Sequence, residues 1–169
     1  MKQLQKDDLL YLAGFIDADG SIIAQFVYRK DYKFKFQIRT TLQITQHKKR
    51  RWILEEFQNL VGAGYIRTRG NICDFVVVEA INVTNLLKQL QPYHKLKKKQ
   101  ANLVLKILEQ LPSTRDSLEK FLTLCPLVDQ VAMLNDARKT THTAETVTAM
   151  LMGLKEIDVP VETSDSSDV

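Results

Sequence analysis

Two carboxylates two positions apart, Asp17 and Asp19, stand in the stretch YLAGFIDADGSI at residues 11–22, immediately ahead of Gly20. The run before them is apolar and helical in pattern, so the acids fall at a helix C-terminus. That end of a helix carries partial negative charge, and a carboxylate there costs a few tenths to about 1 kcal/mol. The run also keeps Ala13 and Gly14 in its middle, although a mid-helix glycine costs about 1 kcal/mol against alanine. Gly20 is a natural stop, since the residue after a last helical turn often needs positive φ. The acids are either surface residues of a turn or groups held there for chemistry that needs their charge.

A second chemical signature lies downstream. Gln25, Arg29, Lys33, Lys35, Gln37, Arg39, Gln43, Arg67 and Arg69 fall on the polar side of strand-like segments, offset only by Asp74 and Glu79. Arg and Gln pair bidentately with guanine and adenine edges in the major groove of DNA, and β-ribbons enter that groove. A solvated sheet face is the plain alternative. The Gln and Arg bias, with so little Glu, speaks against it.

Periodicity supplies the elements that must position these groups. Residues 7–19 read as a helix that Asp7 or Asp8 can cap, and 21–29 as a strand. In 33–45, Phe34, Phe36, Ile38, Leu42 and Ile44 fall on one face. Lys33, Lys35, Gln37, Arg39, Thr41, Gln43 and Thr45 fall on the other, and only Thr40 is out of pattern. That is a half-buried strand of period two. It spans about 40 Å at about 3.3 Å per residue, the length of roughly ten base pairs. Residues 47–61 read as a helix with Trp52, Ile53, Phe57 and Leu60 at core spacing. A hairpin follows at 65–69 and 73–80 around Gly70-Asn71, then helices at 83–90, 95–110, 116–135 and 143–155. The order implies an α+β fold, a four-stranded antiparallel sheet backed by helices on one face around an αββαββ core.

Bulk properties agree with a single domain over 1–155. From Glu156 onward five acids occur with no Lys or Arg, so of the 24 basic and 20 acidic residues the first 155 positions keep 24 and 15, a net +9. A basic body suits an anionic partner, nucleic acid first; a solvated surface would look the same on charge alone. The acidic, Ser-rich tail at 156–169 reads as disordered. Cys73 and Cys125 form no disulfide framework or zinc spacing and read as buried thiols of a reduced compartment. The N-terminus lacks an apolar signal core and no run reaches membrane-spanning length, which points to a soluble intracellular protein. His47, His94 and His142 are scattered, unlike the sets with which histidine-rich nucleases activate water.

Leu12–Gly20 reads LAGFIDADG and differs at one position from the nonapeptide that names the LAGLIDADG homing endonucleases. The chain resembles that family to about residue 150, and within it the single-motif, intron-encoded type of algal chloroplasts. FQIRTTLQITQHKKRRW and LKKKQANLVLKILEQLP carry the finer likeness. The resemblance implies an αββαββα fold whose motif helices pack against each other across a two-fold axis. With one motif and no second copy, it implies a homodimer touching through Leu10, Ala13, Gly14 and Asp17. It implies that Asp19 and the Ala18 carbonyl hold Mg²⁺, with Mn²⁺ able to substitute. Residues two apart do not share a helix face, so Asp17 need not touch the metal.

The same likeness makes Gln46, Arg50 and Lys97 the catalytic polar groups beside Asp19. On position alone, Lys97 is one member of a solvated KLKKK run and Arg50 one charge of KKRR. Contacts to DNA are expected from Gln25, Arg29, Asp31, Tyr32, Lys33, Gln37, Arg39, Thr41, Gln43, Arg67, Arg69 and Asp74, with Arg138 and Lys139 on phosphates. The implied activity is site-specific hydrolysis of double-stranded DNA at a long, partly palindromic target, initiating intron mobility. An intron RNA maturase or a non-cleaving DNA-binding regulator on the same fold are the alternatives. No membrane partner is implied, and the implied location is an organelle, the chloroplast before the mitochondrion.

Overall fold

The helix that opens the chain, α1 (Lys6–Asp19), runs directly into the edge strand of a sheet. The computed structural model describes residues 2–135 and 140–153. Strands β1 (Gly20–Tyr28), β2 (Phe36–His47), β3 (Tyr65–Arg69) and β4 (Ile72–Val77) form one antiparallel sheet in the order β1-β2-β4-β3. Helix α2 (Arg51–Val61) links β2 to β3. Helices α3 (Ala80–Leu90), α4 (Lys98–Gln110), α5 (Leu118–Leu134) and α6 (Ala144–Leu151) follow β4. The αββαββ order and the single four-stranded sheet are those read from periodicity.

Alternation decides the two faces of the sheet. Ile22, Ala24 and Phe26 of β1, Ile38, Leu42 and Ile44 of β2, and Cys73, Phe75 and Val77 of β4 turn inward and are buried in one hydrophobic cluster with the helices. Gln25 lies across from Arg39, Ser21 from Gln43, Thr45 from Asp74 and Arg67 from Asp74, so these residues share the opposite face. Thr40 keeps the inward parity and is buried there. Cys73 and Cys125 are both buried free thiols. Burial, with Asp129 nearby, pushes the Cys125 thiol up to about 12. Among the described residues, no helix is long and apolar enough to cross a membrane.

Several local expectations are corrected. Helix α1 is capped by Gln5 without a side-chain bond; Asp7 and Asp8 lie within its first turn, where the positive end of the dipole favours acids. Gly20 is extended, φ −97°, so positive φ does not explain it. Close packing does: a Cβ there would lie 2.7 Å from the Ile16 Cα and 2.9 Å from the Ile16 carbonyl oxygen. Strand β2 starts at Phe36 rather than Lys33, because residues 29–35 form a turn. In that turn Arg29 N–H bonds the Lys35 carbonyl at 2.7 Å and Lys35 takes φ 59°. The strand instead continues to His47 and has 12 residues, one fewer than the expected 33–45. In α2 the buried set is Ile53, Leu54, Phe57 and Val61, and Trp52 is 58% exposed. At 3.6 residues per turn Trp52 falls on the side of α2 away from the arc formed by Ile53, Leu54, Phe57 and Val61, and a 3₁₀ turn at Lys48–Arg50 precedes the helix, which starts at Arg51. Helix α4 begins at Lys98, not near 95, for a reason that belongs to the site.

Candidate active site and nucleic-acid interface

Three segments far apart in sequence meet at the C-terminal end of α1. The first is the helix end itself, with Asp19 and Ala18 exposed. The second is β2, whose Gln46, buried at the inner face, donates from Nε2 to Asp19 Oδ2 at 2.8 Å. The third is the loop from α3 to α4. Its amides of Lys95 and Leu96 donate to Asp17 Oδ2 at 2.7 and 3.0 Å, and that of Lys97 to Asp17 Oδ1 at 3.1 Å. His94 Nδ1 sits 2.8 Å from Asp17 Oδ1, and Lys97 Nζ donates to the Asp17 carbonyl. With the Lys95, Leu96 and Lys97 amides turned onto Asp17, the chain enters α4 only at Lys98, where the Ala101 amide bonds the Lys97 carbonyl at 3.0 Å. Burial alone would raise the Asp17 carboxyl, but the Lys95 and Leu96 amides, His94 and the Lys97 amide hold it below its usual value.

The two acids therefore have separate tasks. Asp17 is turned into its own protomer and fixes the loop. Asp19 points to solvent with one oxygen held by Gln46. Arg50, the residue before α2, is exposed and makes no ion pair among the described residues. Its neighbour Arg51 is committed, with Nε on Glu55 Oε1 at 2.7 Å and Nη1 on Thr68 Oγ1 at 3.0 Å.

The donors at this helix end fit a hard divalent cation. Asp19 offers a carboxylate and Ala18 a helix-terminal carbonyl, both oxygen ligands of the kind Mg²⁺ takes. Among the described residues no group of three or more His, Cys, Asp and Glu gathers. One chain thus supplies part of a coordination sphere, suited to completion by phosphate oxygens and a second copy.

The outward face of the sheet carries a different kind of network. Asp74 is 0% exposed although it faces outward. Its Oδ1 accepts from Thr45 Oγ1 at 2.7 Å and Gln43 Nε2 at 3.0 Å. Its Oδ2 accepts from Arg69 Nε at 2.8 Å and Arg67 Nε at 3.0 Å. Burial would raise this carboxyl too, but Arg69, Thr45 and Arg67 take it down to about 2. Expected as a direct DNA contact, Asp74 is instead enclosed beneath the side chains it arranges. Gln25 is exposed, Gln37 and Arg39 are half-buried, and Thr41 is buried beside them on the same face. Arg29 pairs with Asp31 at 3.3 Å and lies over the Tyr32 ring at 5.3 Å, so the outer turn is pre-arranged. Lys33 is bound to Asp116 at 2.9 Å. Arg138 and Lys139 lie outside the described residues, as does the tail.

The exposed stripe of α1 is Leu10, Gly14 and Ala18, four residues apart, with Tyr11 beside it. A Cβ at Gly14 would meet nothing within 4 Å, so no contact inside the protomer requires glycine there. Ala13, expected at a contact between motif helices, is 0% exposed within its own protomer. Asp17, expected there too, has its carboxylate committed to residues 94–97. Sequence reasoning missed two participants. His94 lies 77 positions from Asp17, and no local spacing announces the pair. Thr45 falls on the polar face by its period-two spacing, which gives no sign of its bond to Asp74.

A family model described as LAGLIDADG endonuclease matches residues 12–109. The DNA endonuclease I-CreI of Chlamydomonas reinhardtii is 53% identical over 151 residues, covering 89% of this chain and 93% of the relative. The DNA endonuclease I-CvuI of Chlorella vulgaris is 40% identical over 148 residues, covering 87% and 91%. A crystal structure of I-CvuI with I-CreI target DNA superposes with a TM-score of 0.84 at 38% identity, over 90% of this chain and 97% of that one. The archaeal intron-encoded I-Vdi141I, complexed with DNA, shares the fold with a TM-score of 0.78 at 20% identity, over 89% and 98%. Motif, sheet and relatives agree, and the chain belongs to the LAGLIDADG endonuclease family.

Proposed function

We propose that this chain is a homodimeric, Mg²⁺-dependent homing endonuclease that cuts both strands of a long, partly palindromic DNA target. The observation that carries the reading is the meeting of Asp19, Gln46 and Lys97 at the end of α1, beside a sheet face set with Arg and Gln. Arg39, Gln43, Arg67 and Arg69 are of the types that read base edges, and the strand length suits half of a site. The exposed Leu10–Gly14–Ala18 stripe receives the same stripe of a second copy. An isologous contact of that kind doubles the sheet and makes the target symmetric.

Asp19 and the Ala18 carbonyl would hold a divalent ion, which when bound would supply Lewis acidity toward water and phosphate; Mn²⁺ suits the same oxygen ligands. Gln46 holds Asp19 in one orientation and keeps an amide beside the attacking water. Lys97 and Arg50 place positive charge where the phosphorane develops its own. The intact Asp19–Gln46 contact favours the cleaving reading over a maturase or a silent regulator. The relatives come from algae, and we place the protein in an organelle, the chloroplast first.

Asp19→Asn tests the reading. The change is near-isosteric and removes a charge from a helix C-terminus, so folding and binding persist. Cleavage should fall by several orders of magnitude in a duplex assay with Mg²⁺, with gel-shift affinity retained. Full cleavage would overturn the mechanism. Gly14→Leu tests the dimer: with no obstacle inside the protomer, the leucine should leave a folded monomer by analytical ultracentrifugation. A dimer of unchanged activity would remove α1 from the interface.

A further inference from the structure

His94 is only 2% exposed. Its Nε2 is buried without a partner among the described residues. A buried polar atom left unpaired costs about 1–3 kcal/mol, and an aliphatic side chain in the same place would avoid that. What His94 contributes must therefore come from its other nitrogen. A carboxylate only accepts, so the 2.8 Å contact assigns the proton to Nδ1, donating to Asp17 Oδ1.

That bond belongs to a closed set. His94 is anchored at the end of α3, its amide on the Leu90 carbonyl at 3.2 Å. Its ring reaches across to Asp17 on α1. The same carboxylate receives the amides of Lys95, Leu96 and Lys97, and the Asp17 carbonyl receives the Lys97 ammonium. Rotating the Asp17 carboxylate would release three amides and free the segment that carries Lys97. The imidazole, bonded to the same Oδ1 that receives the Lys97 amide, opposes that rotation.

We propose that His94 is a positioning residue for cleavage: it locks the Asp17 carboxylate and thereby holds Lys97 beside the scissile phosphate. This rests on the catalytic reading of Lys97. His94 is enclosed and acts only through the loop.

The test uses the full-length dimer with His94→Leu and His94→Asn, the asparagine amide keeping a donor near the Nδ1 position. Amide hydrogen exchange is followed at residues 95–97 without DNA or metal, and single-turnover cleavage with Mg²⁺. Both variants are crossed with Lys97→Met. His94→Leu should speed exchange at 95–97, leave metal-free DNA affinity unchanged, and slow cleavage about 10–100-fold, as when a partner that orients a metal ligand is removed. His94→Asn should recover most of the rate. The double variant His94→Leu with Lys97→Met should cleave no more slowly than Lys97→Met alone. Wild-type exchange and rate in His94→Leu, equal loss in the Asn variant, or additive loss with Lys97→Met would each overturn the role. Normal cleavage by Lys97→Met would instead overturn the catalytic reading of Lys97 and this role with it, an outcome distinct from a failure of His94 alone.

Discussion

Asp17 and Asp74 both accept four hydrogen bonds, but their donors differ in kind. Three of the four on Asp17 are backbone amides, and the fourth is an enclosed histidine. All four on Asp74 are side chains, two of them arginines about half exposed. Backbone amides stay when neighbouring side chains change, so the helix end keeps its geometry through substitution around it. The sheet face is held by the residues proposed to read DNA, so changing one reader releases the others. The proposed cutting apparatus is thus built for constancy, and the proposed reading surface for coupled change.

The largest test of that contrast is stability. Asp17→Asn puts an amide donor against N–H donors, and a buried group left unpaired costs about 1–3 kcal/mol. Urea denaturation should show a loss of about 3 kcal/mol, more than for Asp74→Asn, whose arginines can turn to water. Equal losses would break the distinction. Next comes coupling. Arg67 and Arg69 share Asp74, so a double-mutant cycle on DNA binding should give an interaction of about 0.5–3 kcal/mol, whereas Arg39 paired with either should be additive within about 0.5 kcal/mol. Arg39→Ala alone should cost about 1–3 kcal/mol and change the preferred base at one position of each half-site. Additivity throughout would mean that Asp74 does not tie the readers together.

The smallest effect is in acid. The native Asp74 carboxyl is depressed to about 2 from 3.8. Its stabilisation is therefore complete above the unfolded value and lost as pH falls through the native one. The stability difference between the protein and Asp74→Asn should be flat above about pH 5 and shrink toward pH 2. A difference that persisted at pH 2 would assign the stabilisation to packing rather than to the charge.

Much of this was legible in the chain. Period-two alternation over Phe36–Ile44 reveals the central strand and its faces, because a one-residue slip would bury the polar set. The nonapeptide locates the helix end and Asp19. The limits of legibility are physical too. The start of β2 depends on Lys35 adopting φ 59°, which neither its type nor its neighbours demand. The start of α4 depends on Asp17, about eighty residues away, and so does the meaning of His94. Gly14 and Ala13 look alike in the sequence as small residues of one helix. Only the packed protomer separates the one that faces out from the one that faces in.

Gly20 carries a consequence for descent. It stands next to Asp19, and a loss-of-cleavage screen would score both as essential. In the role proposed for it, Asp19 is under selection only while cutting matters. The space beside Ile16 that excludes a Cβ at Gly20 is under selection for as long as the polypeptide must fold. In a lineage whose target has vanished, or which has turned to holding RNA, the aspartate is free to drift while the adjoining glycine is not. A surviving glycine beside a substituted aspartate would be the signature of a retired nuclease whose scaffold is still in use.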